Sequence, residues 1–315
     1  MITTGIPKPN TARGVFFKLS ALLLFAIMAS LIKASAPHVP PWQAVFFRSF
    51  FAMIVIVIWL LHRRELHTGL RVVNPMGHFW RGFIGTTAMG LGFAGLGLLP
   101  FPEVTAIGFT APLLTVVFAS MFLGEQVRLF RLSAVGFGLL GVLVILYPRL
   151  SVFDQDGTET VAMLGAMLVL GSAVFRALAQ VHIRRLVQTD QTSAIVFFFS
   201  LTATLLSLLT IPLGWVMPSG LELIYLVGAG LLGGLAQIFL TTSYRYAEAS
   251  VLAPFDYSSM IYALLIGYFI FGEVPTLVML IGASLIIGAG IVIIWRERQL
   301  GLERSKDRKT LTPQG

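Results

Sequence analysis

Four charged residues lie within long apolar stretches of this chain, and their chemistry is the most informative feature of the sequence. They are Lys33, Arg48, Arg176 and Asp256. A charged side chain at the centre of a bilayer costs at least about 2.5 kcal/mol, so such residues mark solute pathways, proton relays or buried ion pairs. The sequence therefore indicates binding of a charged solute, proton transfer or a structural ion pair.

These charges belong to ten apolar segments, and a helix of about 20 residues is enough to cross a bilayer. The segments cover approximately residues 14–34, 42–61, 79–99, 104–122, 130–148, 161–182, 192–216, 222–244, 250–271 and 276–295. Hydrophobic residues make up 57% of the chain and charged residues 11%, whereas soluble domains contain roughly 25% charged residues. We therefore predict an all-α polytopic membrane protein with ten transmembrane helices.

The Lys and Arg residues are distributed unevenly over the connections between the segments. Of the 22 such residues, 17 lie in the N-terminal stretch, in alternate connections (Arg81 among them) and after Trp295. The opposite connections hold only Arg149, apart from Lys33 at a helix end. This asymmetry follows the positive-inside rule and places both termini in the cytoplasm. The net charge of +8 thus reflects membrane topology, and we expect no nucleic-acid partner.

The depth of each buried charge follows from its distance along a helix that rises about 1.5 Å per residue. Arg176 and Asp256 both lie about 10 Å from the cytoplasmic edge. Their opposite charges predict a pair that either only holds the bundle together or also binds substrate or couples a proton. Lys33 lies near the outer edge, where we expect its ammonium to reach the interface. Arg48, about 9 Å below that edge, either lines a polar cavity or tethers two helices.

Two parts of the chain, residues 82–122 and 230–270, repeat one pattern at an offset of 148 positions. Both copies place residues at the steps i, i+3, i+4, i+7 and i+11, which define one face of an α-helix. The copies contain Gly82, Gly85, Thr86, Met89 and Phe93, and Gly230, Gly233, Gly234, Gln237 and Thr241. Small residues let helix backbones approach closely, and the larger ones are candidates for lining a cavity.

The repeat divides the chain into two halves of five segments each. Because five is an odd number, the second half must enter the membrane from the opposite side, which makes the repeat inverted. We predict one five-helix repeat over residues 14–148, a second over 161–295 and a disordered cytoplasmic tail over 296–315. Secondary transporters frequently have this organisation, with the substrate site where the repeats meet.

The fourth segment of each half ends with the same dipeptide, Gly-Glu, before a glycine-rich fifth segment. These residues are Gly124-Glu125 and Gly272-Glu273, and Ala111-Pro112 precedes the first pair. In this order and spacing, residues 14–295 resemble the EamA-type transporters of the drug/metabolite transporter superfamily. The stretch 253–259 is similar to that of a subgroup including riboflavin and S-adenosylmethionine carriers. The resemblance implies that segments 1–4 and 6–9 surround a central cavity and that segments 5 and 10 are peripheral.

Other motifs in the sequence do not indicate a cofactor or a metal. Three Gly-x-Gly-x-x-Gly stretches lie inside apolar segments and lack the preceding strand of a nucleotide-binding fold. The chain has no cysteine, and its histidines lack metal-ligand spacing. We therefore expect no cofactor and no metal site, and we expect Glu125 and Glu273 to cap the starts of neighbouring helices.

We predict a secondary transporter that moves a small organic metabolite across the bacterial inner membrane by alternating access. The solute is expected to be zwitterionic or aromatic, resembling an amino acid or a cofactor. The candidate substrate-binding or transport-path residues are Lys33, Arg48, Thr86, Met89, Phe93, Arg176, Gln237, Thr241, Asp256, Tyr257 and Ser259. The expected partners are this solute, the lipid bilayer and a second copy of the chain, bound through the peripheral helices.

An integral-membrane enzyme acting on a lipid or a polyprenyl carrier is the alternative from another functional class. Such an enzyme needs a nucleophile, a metal cluster or paired carboxylates at one membrane face. The sequence assigns only one acid, Asp256, to the interior of an apolar segment. A channel would need rings of charges or of carbonyl groups, which the sequence does not show. The sequence therefore favours transport.

Overall fold

A computed structural model describes residues 10–123, 129–150, 158–186, 189–247 and 249–310, and all regular elements in this part of the chain are helices. In chain order they are α1 (Thr11–Ser35), α2 (Pro41–His62), α3 (Leu66–Gly69), α4 (Pro75–Leu98), α5 (Phe101–Gly108), α6 (Thr110–Leu123), α7 (Leu129–Leu150), α8 (Thr158–Leu186), α9 (Thr192–Leu208), α10 (Gly220–Tyr246), α11 (Ala249–Leu252), α12 (Ser258–Phe271) and α13 (Leu277–Thr310). Short 3-10 turns cover Ile211–Leu213 and Ala253–Tyr257.

Polar side chains fix the first residues of several long helices. Asn10 caps α1 and Asn74 caps α4 through side-chain oxygens that accept amide hydrogens of the first turn. Ser219 and Glu222 begin α10 with a reciprocal capping box. Because the first amides of a helix have no partner within the helix, these caps define its start.

Within the residues that the structure describes, seven helical stretches are long and apolar enough to cross a membrane. They are Thr11–Ser35, Pro41–His62, Phe101–Phe122, Thr160–Ile183, Gly220–Tyr244, Ala253–Phe271 and Leu277–Arg296. The apolar stretches of α7 and α9 are shorter, and α4 is rich in glycine and contains Arg81. The predicted all-helical class is thus confirmed with seven candidate spans, and the arrangement of ten segments in two repeats stays a prediction.

The helices pack around two buried apolar clusters. α1 packs along α10, α4 along α8, α2 along α9 and α10, and α7 along α13. The first cluster joins α5, α6, α7, α8, α12 and α13. The second joins α1, α2, α4, α5, α10 and α12. Because α5 and α12 contribute to both clusters, they lie where the two clusters meet.

Two apolar segments are interrupted at equivalent places. α5 gives way to α6 at Thr110, and the 3-10 turn Ala253–Tyr257 gives way to α12 at Ser258. Thr110 and Ser258 are 148 positions apart, which is the offset of the sequence repeat. The residues just before them, Phe109 and Tyr257, pack edge to face with ring centroids 5.2 Å apart. The two interruptions therefore meet inside the bundle.

The ends of two helices differ from the sequence-based boundaries. α4 begins at Pro75, so Arg81, which was counted with the cytoplasmic connections, lies within a helix. A proline at the first position together with the Asn74 cap allows this earlier start. α13 continues to Thr310, through most of the stretch predicted as a disordered tail. That stretch is rich in Glu, Arg, Lys and Leu, which favour helix.

A buried carboxylate connects the loop before α4 to the loop before α9. Asp190 Oδ1 accepts a hydrogen bond from the Val73 amide at 2.6 Å, and Oδ2 accepts one from the Thr189 hydroxyl at 2.6 Å. His78 Nε2 lies 3.2 Å from Oδ1. Burial by itself would raise the pKa of Asp190, but the bonds from Thr189 and Val73 and the nearby His78 hold that pKa below its ordinary value.

We expect Asp190→Asn to lower the Tm of the purified protein by about 2–4 °C at neutral pH, because the hydrogen-bonded carboxylate is lost. Since the pKa of Asp190 is lower in the folded state, its stabilisation is complete above the unfolded pKa and is lost as the pH falls through the folded pKa. Thermal unfolding across pH should therefore show a constant difference down to about pH 5 and a narrowing below about pH 4. A difference that disappeared already between about pH 8 and pH 6 would contradict the assignment of this stabilisation to the Asp190 carboxylate.

Candidate functional site

At one end of the bundle, Lys33 and Glu273 join α1, α4, α5 and the end of α12. Lys33 Nζ lies 3.0 Å from Glu273 Oε1. The same ammonium donates to the carbonyl oxygens of Leu96 and Leu99 at 3.2 and 2.5 Å. The second carboxylate oxygen of Glu273 accepts the Phe101 amide at 2.7 Å. The charges at this end thus form one connected hydrogen-bond network.

The expectations from the sequence concerned three residues near helix ends, namely Lys33, Glu125 and Glu273. Glu273 was expected to cap the helix across the tight turn that follows it, but it accepts the first amide of α5, a helix far away in the chain, whereas Glu125 lies outside the described residues. The Lys33 side chain, which was expected to extend to the interface, is only 12% exposed, and its ammonium is held by the carboxylate and two carbonyl oxygens. Lys33 is therefore a fixed member of an ion pair.

At the other end, Asp256 pairs with Lys18. Lys18 Nζ lies 2.6 Å from Asp256 Oδ1, 3.4 Å from the Tyr244 hydroxyl and 5.4 Å from the centroid of the Tyr244 ring. The Lys18 side chain is 2% exposed, whereas that of Asp256 is 46% exposed. The predicted pair of Asp256 with Arg176 is not formed, since Arg176 donates instead to Ser172 Oγ at 3.4 Å.

Both ion pairs connect α1 to the same later stretch of chain, residues 253–273. Lys18 and Lys33 are separated by 15 residues of α1, which corresponds to about 22 Å along the helix. Their partners follow in the same order, so α1 and the later stretch run in parallel. The contact between these two stretches, called here the α1 seam, therefore has an ion pair near each end.

A second group of charges lies between α2, α4 and α9. The Cζ atoms of Arg81 and Arg48 lie 4.3 and 5.7 Å from the centroid of the Phe199 ring. Both guanidinium groups are thus within reach of a cation–π interaction with one ring. Nε of Arg48 and both Nε and Nη1 of Arg81 are buried and make no hydrogen bond. Within the described part of the chain, neither arginine has a carboxylate at ion-pair distance.

The repeated glycines of α4 and α10 leave space for these two arginines. A Cβ atom on Gly85 would overlap Arg81 Nη1 and lie 2.8 Å from the Phe199 ring. A Cβ atom on Gly233 would lie 3.4 Å from Arg48 Nε. Gly85 and Gly233 are equivalent positions of the sequence repeat, so each copy of the repeated face accommodates one cation.

Arg176 lies among α4, α5 and α8. Its Nη atoms are 3.9 and 3.6 Å from the positions that Cβ atoms on Gly92 and Gly108 would occupy. Nevertheless more than a third of Arg176 is accessible. A side chain that is enclosed by three helices and still accessible faces a space inside the bundle.

The other predicted site residues lie in different environments. Phe93 lines a cleft of about 210 Å³ at the ends of α1, α2 and α4, together with Ile32 and Ala44. Thr86 is 2% exposed and donates to the Gly82 carbonyl of its own helix. Four residues are only partly buried, and these are Met89, Gln237, Thr241 and Ser259.

Tyr257 packs against the first apolar cluster. Its ring contacts Phe109, and a Cβ on Gly290 of α13 would overlap its hydroxyl oxygen. Tyr257 therefore contributes to the packing of α5 and α13, whereas the sequence assigned it to the wall of the cavity. Its neighbour Ser259 donates to the Asp256 carbonyl at 2.7 Å and so supports the turn that carries the paired carboxylate.

Several residues of this site were missed in the sequence. Lys18 and Arg81 lie within the predicted segments 14–34 and 79–99, so their position inside apolar stretches was a usable signal. Phe199 gave no signal, because it is one of 25 phenylalanines.

A known family of membrane proteins matches both parts of the chain. The sequence profile of the EamA-like transporter family matches residues 12–147 and again residues 163–296. The chain belongs to the EamA-like transporter family. This confirms the resemblance seen in the Gly-Glu segment ends, and it supports a transporter in place of a membrane enzyme. With the seven apolar helices, it identifies a multi-pass bacterial membrane protein.

Relatives of this EamA-like protein are named for several different solutes. The chain is 30% identical to the pseudopaline exporter of Pseudomonas aeruginosa, over 89% of this chain and 95% of the relative. It is 28% identical to the riboflavin transporter of Vibrio cholerae, over 95% and 98%. It is 27% identical to the S-adenosylmethionine uptake transporter of Rickettsia felis, over 82% and 84%. These names include both uptake and export.

The fold of this EamA-like chain is also found among solved structures. One crystal structure aligns with a TM-score of 0.63 at 23% sequence identity. The alignment covers 92% of this chain and 99% of the solved one. The helical arrangement described above is therefore shared with a known protein over nearly its whole length.

Proposed function

We propose that this protein carries a small organic metabolite across the inner membrane by alternating access. The observation that carries this proposal is the α1 seam, which has one ion pair near each end. An alternating-access carrier opens its central site to one side of the membrane while it stays closed to the other. Two separate ion pairs along one seam allow either end to open while the opposite end remains closed.

The energies of such ion pairs are of the size that a two-state carrier requires. Breaking a buried pair by removing one partner costs about 3–5 kcal/mol. Shifting a two-state equilibrium from about 1:99 to 99:1 requires about 5.5 kcal/mol. Because the energy of one pair offsets that of the other, the difference in solute affinity between the two states can shift the carrier from one state to the other.

The carrier is further proposed to consist of ten membrane segments in two inverted repeats, over residues 14–148 and 161–295. The helix restarts at Thr110 and Ser258 support this, since they are separated by the repeat offset of 148 positions. The packing pairs support it as well: α1 with α10 corresponds to α8 with α4, and α2 with α10 corresponds to α9 with α4. The two family matches, over 12–147 and 163–296, divide the chain at the same place.

The proposed solute is a zwitterionic or aromatic metabolite, similar in size to an amino acid or a cofactor. Support comes from the relatives named for S-adenosylmethionine and riboflavin. The accessible charges of Arg176 and Asp256 have opposite signs, as a zwitterionic solute requires. Aromatic contact is available from Phe93 in the cleft.

Uptake into proteoliposomes tests this function directly. The purified protein is reconstituted, and uptake of labelled S-adenosylmethionine, riboflavin and phenylalanine is measured with and without imposed proton and sodium gradients. We expect saturable uptake of at least one solute, accelerated when the same unlabelled solute is loaded inside, because a carrier exchanges solute across the membrane. Uptake equal to that of empty liposomes for all three would contradict the proposed solute class.

The proposed orientation, with both termini in the cytoplasm, can be tested with single cysteines because the chain has none of its own. Met217, which is 91% exposed, lies in a connection assigned to the outer side. Arg71, which is exposed between α3 and α4, lies on the cytoplasmic side. Met217→Cys should react with an impermeant maleimide in intact cells, and Arg71→Cys only after permeabilisation. Equal labelling of both in intact cells would contradict the orientation.

A homodimer through the peripheral helices is part of the proposal. Exposed apolar residues on α7 provide a surface that contacts either lipid or a second copy, and they include Phe137, Leu140 and Leu143. Mass measurement of the detergent-solubilised protein, with Leu140→Trp as the variant, would distinguish these alternatives. We expect a dimer mass that falls to the monomer value in the variant.

A further inference from the structure

We propose that Arg48 and Arg81 together bind a carboxylate group of the transported solute, beside the ring of Phe199. The inference rests on the transport function proposed above and specifies the chemistry of its site. The sequence placed Arg48 among the candidate substrate-binding or transport-path residues, as part of a cavity wall or a helix tether, and it counted Arg81 with the cytoplasmic connections and gave it no role. The structure brings the two together at one aromatic ring.

The balance of buried charge requires a negative partner at this place. The two lysines of α1 are each paired with a carboxylate, Asp256 or Glu273. Arg48 and Arg81 have no such partner within the described part of the chain, although three of their nitrogen atoms are buried without a hydrogen bond. An unpaired charge in a membrane protein is costly, and a charge in this position is a functional-site hypothesis with a ligand as one candidate partner.

The geometry suits a carboxylate held by two cations. The distances to the common ring place the two Cζ atoms no more than 10 Å apart. Guanidinium groups form strong, directional hydrogen bonds to carboxylate oxygens. Arg48 is 8% exposed and Arg81 is partly buried, so both guanidinium groups are largely shielded from solvent and an ionic bond to them is strengthened. Phe199 is the aromatic surface beside the bound group.

The depth of the site favours a solute over a lipid headgroup. Arg48 is seven residues from the start of α2, and Phe199 is seven residues from the start of α9. Each distance corresponds to about 10 Å along the helix. In the proposed topology these two helices begin at opposite membrane faces, so the arginines meet at a depth that headgroups at the interface do not reach.

Thermal unfolding of the purified full-length protein tests this site without knowledge of the natural solute. The probes are benzoate and its uncharged analogue benzamide, at equal concentrations in a buffer of low ionic strength, with phosphatidylglycerol micelles as a third probe. The variants are Arg48→Met and Arg81→Met. Arg63→Met is the matched control, because Arg63 is partly exposed and already paired with Glu65.

We expect benzoate to raise the Tm of the unmodified protein and of the Arg63→Met control by about 2–4 °C, and benzamide to have no effect. Both site variants should lose the response to benzoate. Without any anion they should melt at or above the temperature of the unmodified protein, because a buried unpaired charge has been removed. This second readout separates ligand binding from a structural role, since loss of a structural tether would lower the Tm.

Three results would overturn the proposal. The first is that benzoate fails to stabilise the unmodified protein, and the second is that the site variants still respond to benzoate or melt at lower temperature without it. The third is stabilisation by phosphatidylglycerol alone that depends on both arginines, which would assign the site to a lipid. Loss of the benzoate response in a protein that transports no probe would leave the anion site standing and contradict only the transport function.

Discussion

Replacing Gly85 or Gly233 with leucine is expected to abolish transport while the protein still reaches the membrane in normal amounts. A side chain at Gly85 would displace the Arg81 guanidinium and the Phe199 ring. The Cβ of one at Gly233 would lie 2.8 Å from Met28 Sδ and 3.4 Å from Arg48 Nε, so the rest of a leucine side chain would crowd both residues. These displaced groups are the ends of flexible side chains, so the fold can adjust while the site cannot. Uptake into proteoliposomes, normalised to the amount of reconstituted protein, measures the effect.

Matched controls for these variants are available two residues away. Phe83 of α4 is 41% exposed and Leu231 of α10 is 43% exposed, so both lie away from the arginines. Phe83→Leu and Leu231→Phe should keep at least about half of the uptake, since surface changes rarely exceed about 0.5 kcal/mol. If the glycine variants keep their uptake and the Phe83 and Leu231 variants lose it, the functional faces of α4 and α10 are assigned incorrectly.

Asp256→Asn is expected to reduce transport at least tenfold and to lower the Tm. Its partner Lys18 is 2% exposed, and removal of one member of a buried pair leaves a charge without compensation, at a cost of about 3–5 kcal/mol. Lys18→Met should be the milder change for stability, because the remaining carboxylate is 46% exposed and can be hydrated. Thermal unfolding and proteoliposome uptake provide the two measurements.

The double variant Lys18→Met/Asp256→Asn separates stability from function. With both charges removed, the Tm should return to within about 2–4 °C of that of the unmodified protein. The uptake rate should stay below about a tenth of the unmodified rate, because one end of the α1 seam no longer closes. The exposed pair Arg63–Glu65 is the control, since neutralising such a pair changes stability by no more than about 1 kcal/mol. A double variant that transports at the unmodified rate would assign the pair a purely structural role.

The parts of the fold that follow from local pattern could be predicted from the sequence. The spacing of Gly85 and Gly233 on their helices is a local property, and the offset between them is visible without any structure. The same offset relates the helix restarts at Thr110 and Ser258. However, the restarts themselves were not predicted, because both positions lie inside continuous apolar stretches and only tertiary contact between Phe109 and Tyr257 distinguishes them.

The partners of the charged residues could not be predicted from depth alone. Lys18 lies seven residues into α1, or about 10 Å, which is the depth that also suggested Arg176 as the partner of Asp256. Sequence gives the height of a residue in the membrane, whereas the choice of partner depends on which helices are neighbours. That choice is made by the packing of α1 against residues 253–273, which are far away in the chain.

The central claim, that the two ends of the α1 seam open alternately, can be measured as a pair of distances. Spin labels on Arg13→Cys and Pro254→Cys report the end near Lys18, and labels on Pro37→Cys and Val274→Cys report the end near Lys33. All four positions are exposed, and the chain has no other cysteine. Pulsed electron–electron double resonance is recorded in liposomes with and without a transported solute. The distance between the labels at one end of the seam should lengthen as the distance at the other end shortens. Two distances that rise and fall together, or that stay fixed in a protein active in transport, would contradict alternating access at this seam.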